Sequence, residues 1–419
     1  MLHSTTIVSR STTAVLSHLN RIKSQYATSP HTFLFALSVP THSSELSSLV
    51  DTLMTFSPTS SLGCLSSPLV HGYISCSVAL LDPRNATLFR STIPGREQTQ
   101  VGRWHAFRRK DDGEYNDFKL PEGNFDWEDL WKTTRTNTKQ QMPDELTRLD
   151  TERVSSVLYL SDLSPEGLSS VLSNSFPKAS QLGLLASSTP FITGRPVTLF
   201  HNQHILDKGA VGVALTSHKA LKFHVPNDIR PLGSALEVTD SEGNLVNTLN
   251  LSNPTQLLLS RIRAAGIDTT SSNAITFKDD TEFYLGVLPH DSSTPYQLHA
   301  VTAGDPSRGT LSLNPQTMAP PVGTQVQFFH RPVMKTPSLG TWHESVRTLG
   351  GTVAFTALSS TEVIESGTDG EGEDGLSPST AGGLVLENRF IVGSDTGVVM
   401  KRAGEHPWSC TVPGCISEL

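Results

Sequence analysis

Few residues of this 419-residue chain are grouped in a way that supports chemistry. Cys64 is the clearest candidate nucleophile, because it stands beside Gly63 at the end of a short apolar run, where backbone amides can lie open. A thiol attacks as its thiolate and needs a base to form it. The fifteen histidines make some Cys–His approach possible and no pairing specific. A buried structural thiol is the competing reading, and Leu184, an apolar residue at the corresponding place of a second similar run, favours it. Cys410 and Cys415 flank a Pro-Gly turn and would make a loose thiolate pair, but zinc needs two further ligands and no matching pair lies nearby. There is no Gly-x-Ser-x-Gly elbow, no Gly-x4-Gly-Lys-Ser/Thr loop and no His-Glu-x-x-His helix. These residues point away from an enzyme, and no metal or cofactor is expected.

The elements around Cys64 are better defined than its chemistry. Thr32 to Val39 is an apolar run ending at Pro40, which predicts a buried strand. Ser43-Ser44-Glu45 opens a helix carrying Leu46, Leu49, Val50, Leu53 and Met54, and a strand returns near Ser61 to Leu65. The pattern recurs as a strand over Val154 to Leu160, a helix capped by Ser164 with Pro165 at its first position, and a strand over Gln181 to Ala186. The two returns are alike, Leu62-Gly63-Cys64-Leu65-Ser66-Ser67 against Leu182-Gly183-Leu184-Leu185-Ala186-Ser187. Antiparallel strands follow each, Gly72 to Leu81 and Pro196 to Leu215. Agreement in element order as well as in residues indicates an internal duplication with two pseudo-equivalent half-sheets.

Other stretches divide the chain. Residues 91–150 are irregular and rich in charge and aromatics; Asp126 to Thr133 could be a short helix anchored by Trp127 and Trp131. The segment is expected to be either a surface excursion held down by its tryptophans or a lid or docking arm. Asn253-Pro254 opens a helix with Leu257, Leu258, Leu259 and Ile262, and Gly266 ends it. Strands are expected near 283–288, 297–301, 310–313, 322–331 and 348–356, and a disordered acidic loop over about 360–383.

Composition narrows the function classes. A formal charge of −8 and the lack of a basic stripe argue against nucleic acid, whose binding rests on clustered Lys and Arg. No run approaches the roughly 20 apolar residues of a membrane span, so a soluble, non-transmembrane chain is expected. Four scattered cysteines suit a reducing compartment. The first 44 residues hold no Asp or Glu, which suits a mitochondrial presequence, while Val15, Leu19, Ile22 and Tyr26 recur at helical spacing and could belong to the fold. Cytoplasm and mitochondrial matrix both stay open, with only the dozen residues before that helix expected to be free of the fold.

One stretch carries a likeness. Gly194-Arg195-Pro196-Val197-Thr198-Leu199-Phe200-His201-Asn202-Gln203-His204-Ile205-Leu206-Asp207-Lys208-Gly209-Ala210-Val211-Gly212-Val213, then Arg230-Pro231-Leu232-Gly233 and Leu236 to Val246, are short strands separated by turn residues, and predict a β-meander. The order of these elements resembles the FIST domain, a sensory module of bacterial signalling proteins also found in some eukaryotic proteins, including a vertebrate F-box protein. The resemblance implies an N-terminal FIST-like unit over 12–251 and a C-terminal one over 252–419. The expected fold is α/β with α+β character, two related units that are each a mixed β-sheet with flanking helices.

The resemblance also implies a small-molecule ligand, such as an amino acid or related compound. In such sheets ligands settle at strand ends. Gly63, Cys64, Ser66 and Ser67, with Gly183, Ala186 and Ser187, would supply small residues, amides and hydroxyls around one cavity, although small residues there could simply let the chain turn. Arg230 could hold a ligand carboxylate, or could pair with Asp228 or Glu237. Three classes follow: a non-catalytic ligand-sensing module; a protein-interaction module serving ubiquitin-dependent turnover through a separate adaptor; and an enzyme using Cys64.

Overall fold

The central strands of this protein are apolar on both faces, and the fold covers both faces of each. The computed structural model describes residues 1–38, 46–95, 142–216, 220–267, 281–289, 293–304, 309–314, 317–332, 338–359 and 383–419. The Trp127–Trp131 helix and most of the acidic loop lie outside these residues.

A first unit comprises β1 (His3–Ser9), α1 (Thr12–Tyr26), β2 (Thr32–Ser38), α2 (Leu46–Met54), β3 (Ser61–Leu65) and β4 (Ile74–Leu81). A second comprises β5 (Ala86–Ser91), α3 (Asp144–Thr147), β6 (Ser156–Ser161), α4 (Glu166–Ser175), β7 (Ser180–Leu185), α5 (Pro190–Thr193), the hairpin β8 (Leu199–His201) and β9 (His204–Leu206), and β10 (Ala210–Leu215). Their sheets have the same order, β1-β4-β2-β3 and β5-β10-β6-β7. In each, the third and fourth strands are parallel and the other neighbours antiparallel. The duplication read in the sequence is therefore present in the topology.

The same order occurs a third time. After β11 (Lys222–His224) the chain leaves to form a closed barrel, β12-β13-β16-β15-β14-β17, from β12 (Arg230–Glu242), β13 (Leu245–Leu249), β14 (Thr281–Val287), β15 (Gln297–Gly304), β16 (Leu311–Leu313) and β17 (Gln325–Pro332). Leu258 and Ile262 of α6 (Pro254–Ala264) pack into the barrel core. The chain returns through α7 (Leu339–Arg347), β18 (Val353–Ala357), β19 (Leu384–Glu387), β20 (Phe390–Ser394), the hairpin β21 (Val398–Lys401) and β22 (Trp408–Cys410), and β23 (Ile416–Glu418). The third sheet, β11-β23-β18-β20, again has a parallel pair, β18 with β20. The barrel takes strands from both sides of residue 251, so the division at 251/252 separates segments of sequence rather than sheets.

The units complete one another in a cycle. Strand β8, from the second unit, pairs with β3 of the first, and β21, from the third, pairs with β7 of the second. The first unit closes the cycle through an isolated antiparallel bridge between Ser67 and Gly393 at the end of β20. One core holds the inner faces of all three: Leu34 and Ala36, Leu62 and Cys64, Leu158 and Leu160, Leu182 and Leu184, Val353 and Phe355, Phe390 and Val392.

Four expectations change. The meander does not form as one sheet: β8 and β9 join the first sheet, β10 the second, and β12 and β13 the barrel. Turn residues announce a reversal but not the partner, and Gly209 (φ 84°) turns the chain out of the hairpin while its N–H is held by Asp162 Oδ2 at 2.6 Å. Residues 3–9 are not free of the fold, since β1 is bonded by β4 on one side and β19 on the other. Helix α4 starts at Glu166 with Pro165, which has no side-chain oxygen to act as a cap, in the capping position, and the preceding Ser164 N–H donates to Asp162 Oδ1. The third unit is an addition to the two copies expected. Among the described residues no helix is long and apolar enough to cross a membrane.

Candidate functional site

The three-fold repetition assigns equivalent positions at the strand ends. Ala36 is opposite Cys64, Leu160 opposite Leu184 and Phe355 opposite Val392, each pair on the shared core. Three residues beyond Cys64, Leu184 and Val392 stand Ser67, Ser187 and Asp395. These three side chains meet. Ser67 Oγ lies 2.6 Å from Ser187 Oγ and donates to Asp395 Oδ1 at 2.8 Å, and the Asp395 N–H donates back to Ser67 Oγ at 3.0 Å. Since the single proton of Ser67 goes to the carboxylate, the Ser187 hydroxyl is the donor in the shorter contact. Ser67 and Ser187 are each 7% exposed and Asp395 is half-buried.

A turn from the third unit holds the cluster. Ser394 Oγ donates to the Leu185 carbonyl at 2.5 Å and accepts from the N–H groups of Thr396 and Gly397, while Thr396 Oγ1 donates to the same carbonyl at 3.1 Å. The N–H of Leu185 is bonded to the Gly397 carbonyl, and Gly397 has φ 125°. The end of β7 is thus gripped on both its peptide groups. Among the described residues Asp395 Oδ2 has no protein partner, so an acceptor is left open beside two hydroxyls. This arrangement suits binding a cation or a hydrogen-bond donor.

Of the residues expected at the site, Ser67 and Ser187 lie in contact with each other. Ser66 is half-buried with its N–H on the Leu37 carbonyl, and Ala186 is buried with its N–H on the Ser161 carbonyl, so the amides at both strand ends are used and not open. Gly63 and Gly183 do not line an opening. A Cβ at Gly63 would stand 2.6 Å from the Phe35 ring, and one at Gly183 would overlap the Tyr159 ring, because each glycine lies opposite an aromatic residue of the parallel neighbour. Cys64 is wholly buried in the shared core, where burial pushes its thiol well above the ordinary range. That is the environment of a structural thiol. Arg230 is exposed at the start of β12, opposite His330, on the barrel and away from the cluster. Asp228 is paired with Arg331 instead, at 2.6 Å.

Asp395 was not foreseen. The signal available is that Phe390 to Asp395 repeats the offset of Leu62 to Ser67 and Leu182 to Ser187, an apolar strand followed by a small polar residue; Ser394, in the place of Ser66, is the one identity across that stretch. A family model of the FIST N domain matches residues 136–251, which hold the second unit from α3 to β10 and the first two strands of the barrel. No curated protein matches the chain.

Proposed function

From a chain in which residues 136–251 match the FIST N domain, a family associated with sensing and signal transduction, we propose a non-catalytic ligand-binding module whose ligand seats at the ends of β3, β7 and β20. The observation that carries this reading is the meeting of Ser67, Ser187 and Asp395. A ligand ammonium group would take the open oxygen of Asp395, with the two serine hydroxyls beside it; an amino acid or related compound has that group. The segment from 252 onward enters as a divergent C-terminal FIST-like unit, which supplies Asp395.

A ligand that binds only the folded protein raises its stability, by about 2.7 kcal/mol at a hundredfold excess over its dissociation constant. Thermal-shift screening against amino acids, organic acids and nucleotides should therefore give a reproducible rise for an amine-bearing compound. The rise should be lost in Ser187→Ala and in Asp395→Asn. A flat screen on folded protein, or a shift that survives both substitutions, removes the reading.

A second reading, a protein-interaction module in ubiquitin-dependent turnover through a separate adaptor, is favoured by one feature. Phe191 in α5 is 93% exposed just after Ser187, and Leu163, 39% exposed, follows the adjacent parallel strand β6. Loss of a specific bound protein on Phe191→Ala, with the thermal screen flat, would select it.

A further inference from the structure

The parallel neighbours of two strands that end at the Ser67–Ser187–Asp395 cluster, β6 beside β7 and β18 beside β20, begin at a cavity. It has a volume of about 80 Å³ and lies where β6 and β18 start and where β4, β10 and β23 end. Its apolar wall includes Leu81, Ala86, Leu158, Leu215, Val353 and Leu419, Met1 and Thr352 also line it, and Asp82 and Asn85 stand between β4 and β5. One wall residue is polar and unsatisfied. Ser156 is 2% exposed, lines the cavity, and its hydroxyl makes no hydrogen bond among the described residues. The hydroxyl lies in the cavity wall with no protein partner among those residues taking it up, so a molecule in the cavity could hydrogen-bond to it. The carboxylate of Asp82 offers no open charge, since Arg84 Nε and Nη2 donate to it at 3.0 Å and 2.7 Å.

We propose that this cavity is a second binding site, for a small uncharged molecule with a short or singly branched hydrocarbon body and one hydroxyl or carbonyl directed at Ser156. Apolar cavities of roughly 150 Å³ take benzene with its six heavy atoms, so about half that volume suits a ligand of roughly three to four heavy atoms. The site is separated from the carboxyl-end cluster by the length of β6, roughly 20 Å at 3.3 Å per residue. It uses none of the residues of that cluster and does not depend on the reading given to them.

Saturation-transfer NMR of the full chain with ethanol and isopropanol tests the site, with acetate and isopropylamine as charged counterparts. The alcohols should bind with a dissociation constant of roughly millimolar order or tighter, and at least tenfold more tightly than the charged pair. Ser156→Val, which keeps the shape and removes the hydroxyl, should weaken alcohol binding about tenfold, and Ala86→Phe, which fills the cavity, should abolish it. Should Ala86→Phe fail to fold, methyl labelling of Leu81, Leu158, Leu215 and Val353 replaces it, and those methyl signals should shift with alcohol. Binding should be unchanged in Ser187→Ala. No saturation transfer, tighter binding of either charged compound, equal binding by Ser156→Val, or unshifted methyls overturns the proposal.

Discussion

Gly63 and Gly183 occupy one position twice, and in both units an aromatic ring of the neighbouring parallel strand lies over the missing side chain. A methyl group there drives into a packed core, so Gly183→Ala should destabilise by about 1–3 kcal/mol in urea unfolding, and Gly63→Ala by a similar amount. His299 gives a pH dependence. It is 1% exposed, neither ring nitrogen has a hydrogen-bond partner, and burial holds its pKa down at about 4 against an ordinary 6.5. The unfolded chain then binds the proton more readily, so stability is full above about pH 6.5 and falls as pH drops towards 4, by up to about 3 kcal/mol. His299→Phe should flatten that slope in denaturation curves taken between pH 7 and 4. Residue roles were only half legible from the sequence. Ser67 and Ser187 could be paired from the repeated motif, but a glycine at a strand end reads equally as an opening or as room for a ring, and register alone decides between them.

Strand β1 is an interior strand, and its Ile7 and Val8 are buried in two different cores. Removing residues 1–10 should therefore cost several kcal/mol or abolish cooperative folding, measured by circular dichroism melting, whereas a dispensable leader would leave the melt unchanged. Val15, Leu19 and Ile22 of α1 are buried as their helical spacing predicted, and Asn253 caps α6 through the Gln256 N–H at 3.0 Å. Strands and helices of this kind were legible because period and capping are local. Partnership was not. The hairpin turns around Asn202 and Gly209 look alike in sequence, yet one joins β8 to β9 and the other sends β10 to a different sheet. The third unit was hidden for a related reason, because the barrel separates β11 from the rest of its sheet.

The shared core joins the three units and also includes Leu298, Tyr284 and Phe329 from the barrel. Calorimetry should accordingly show one unfolding transition; two resolved transitions, with the barrel melting apart, would contradict a common core. The cyclic exchange of strands has a consequence for biosynthesis. The sheet begun by β1 needs β8 and β19, and the sheet begun by β5 needs β21, so each is finished only by residues made much later. A nascent chain halted on the ribosome before residue 398 would carry an open edge at β7, an apolar strand able to pair with other chains. Chaperone capture of such stalled chains should fall sharply once β21 has emerged from the exit tunnel.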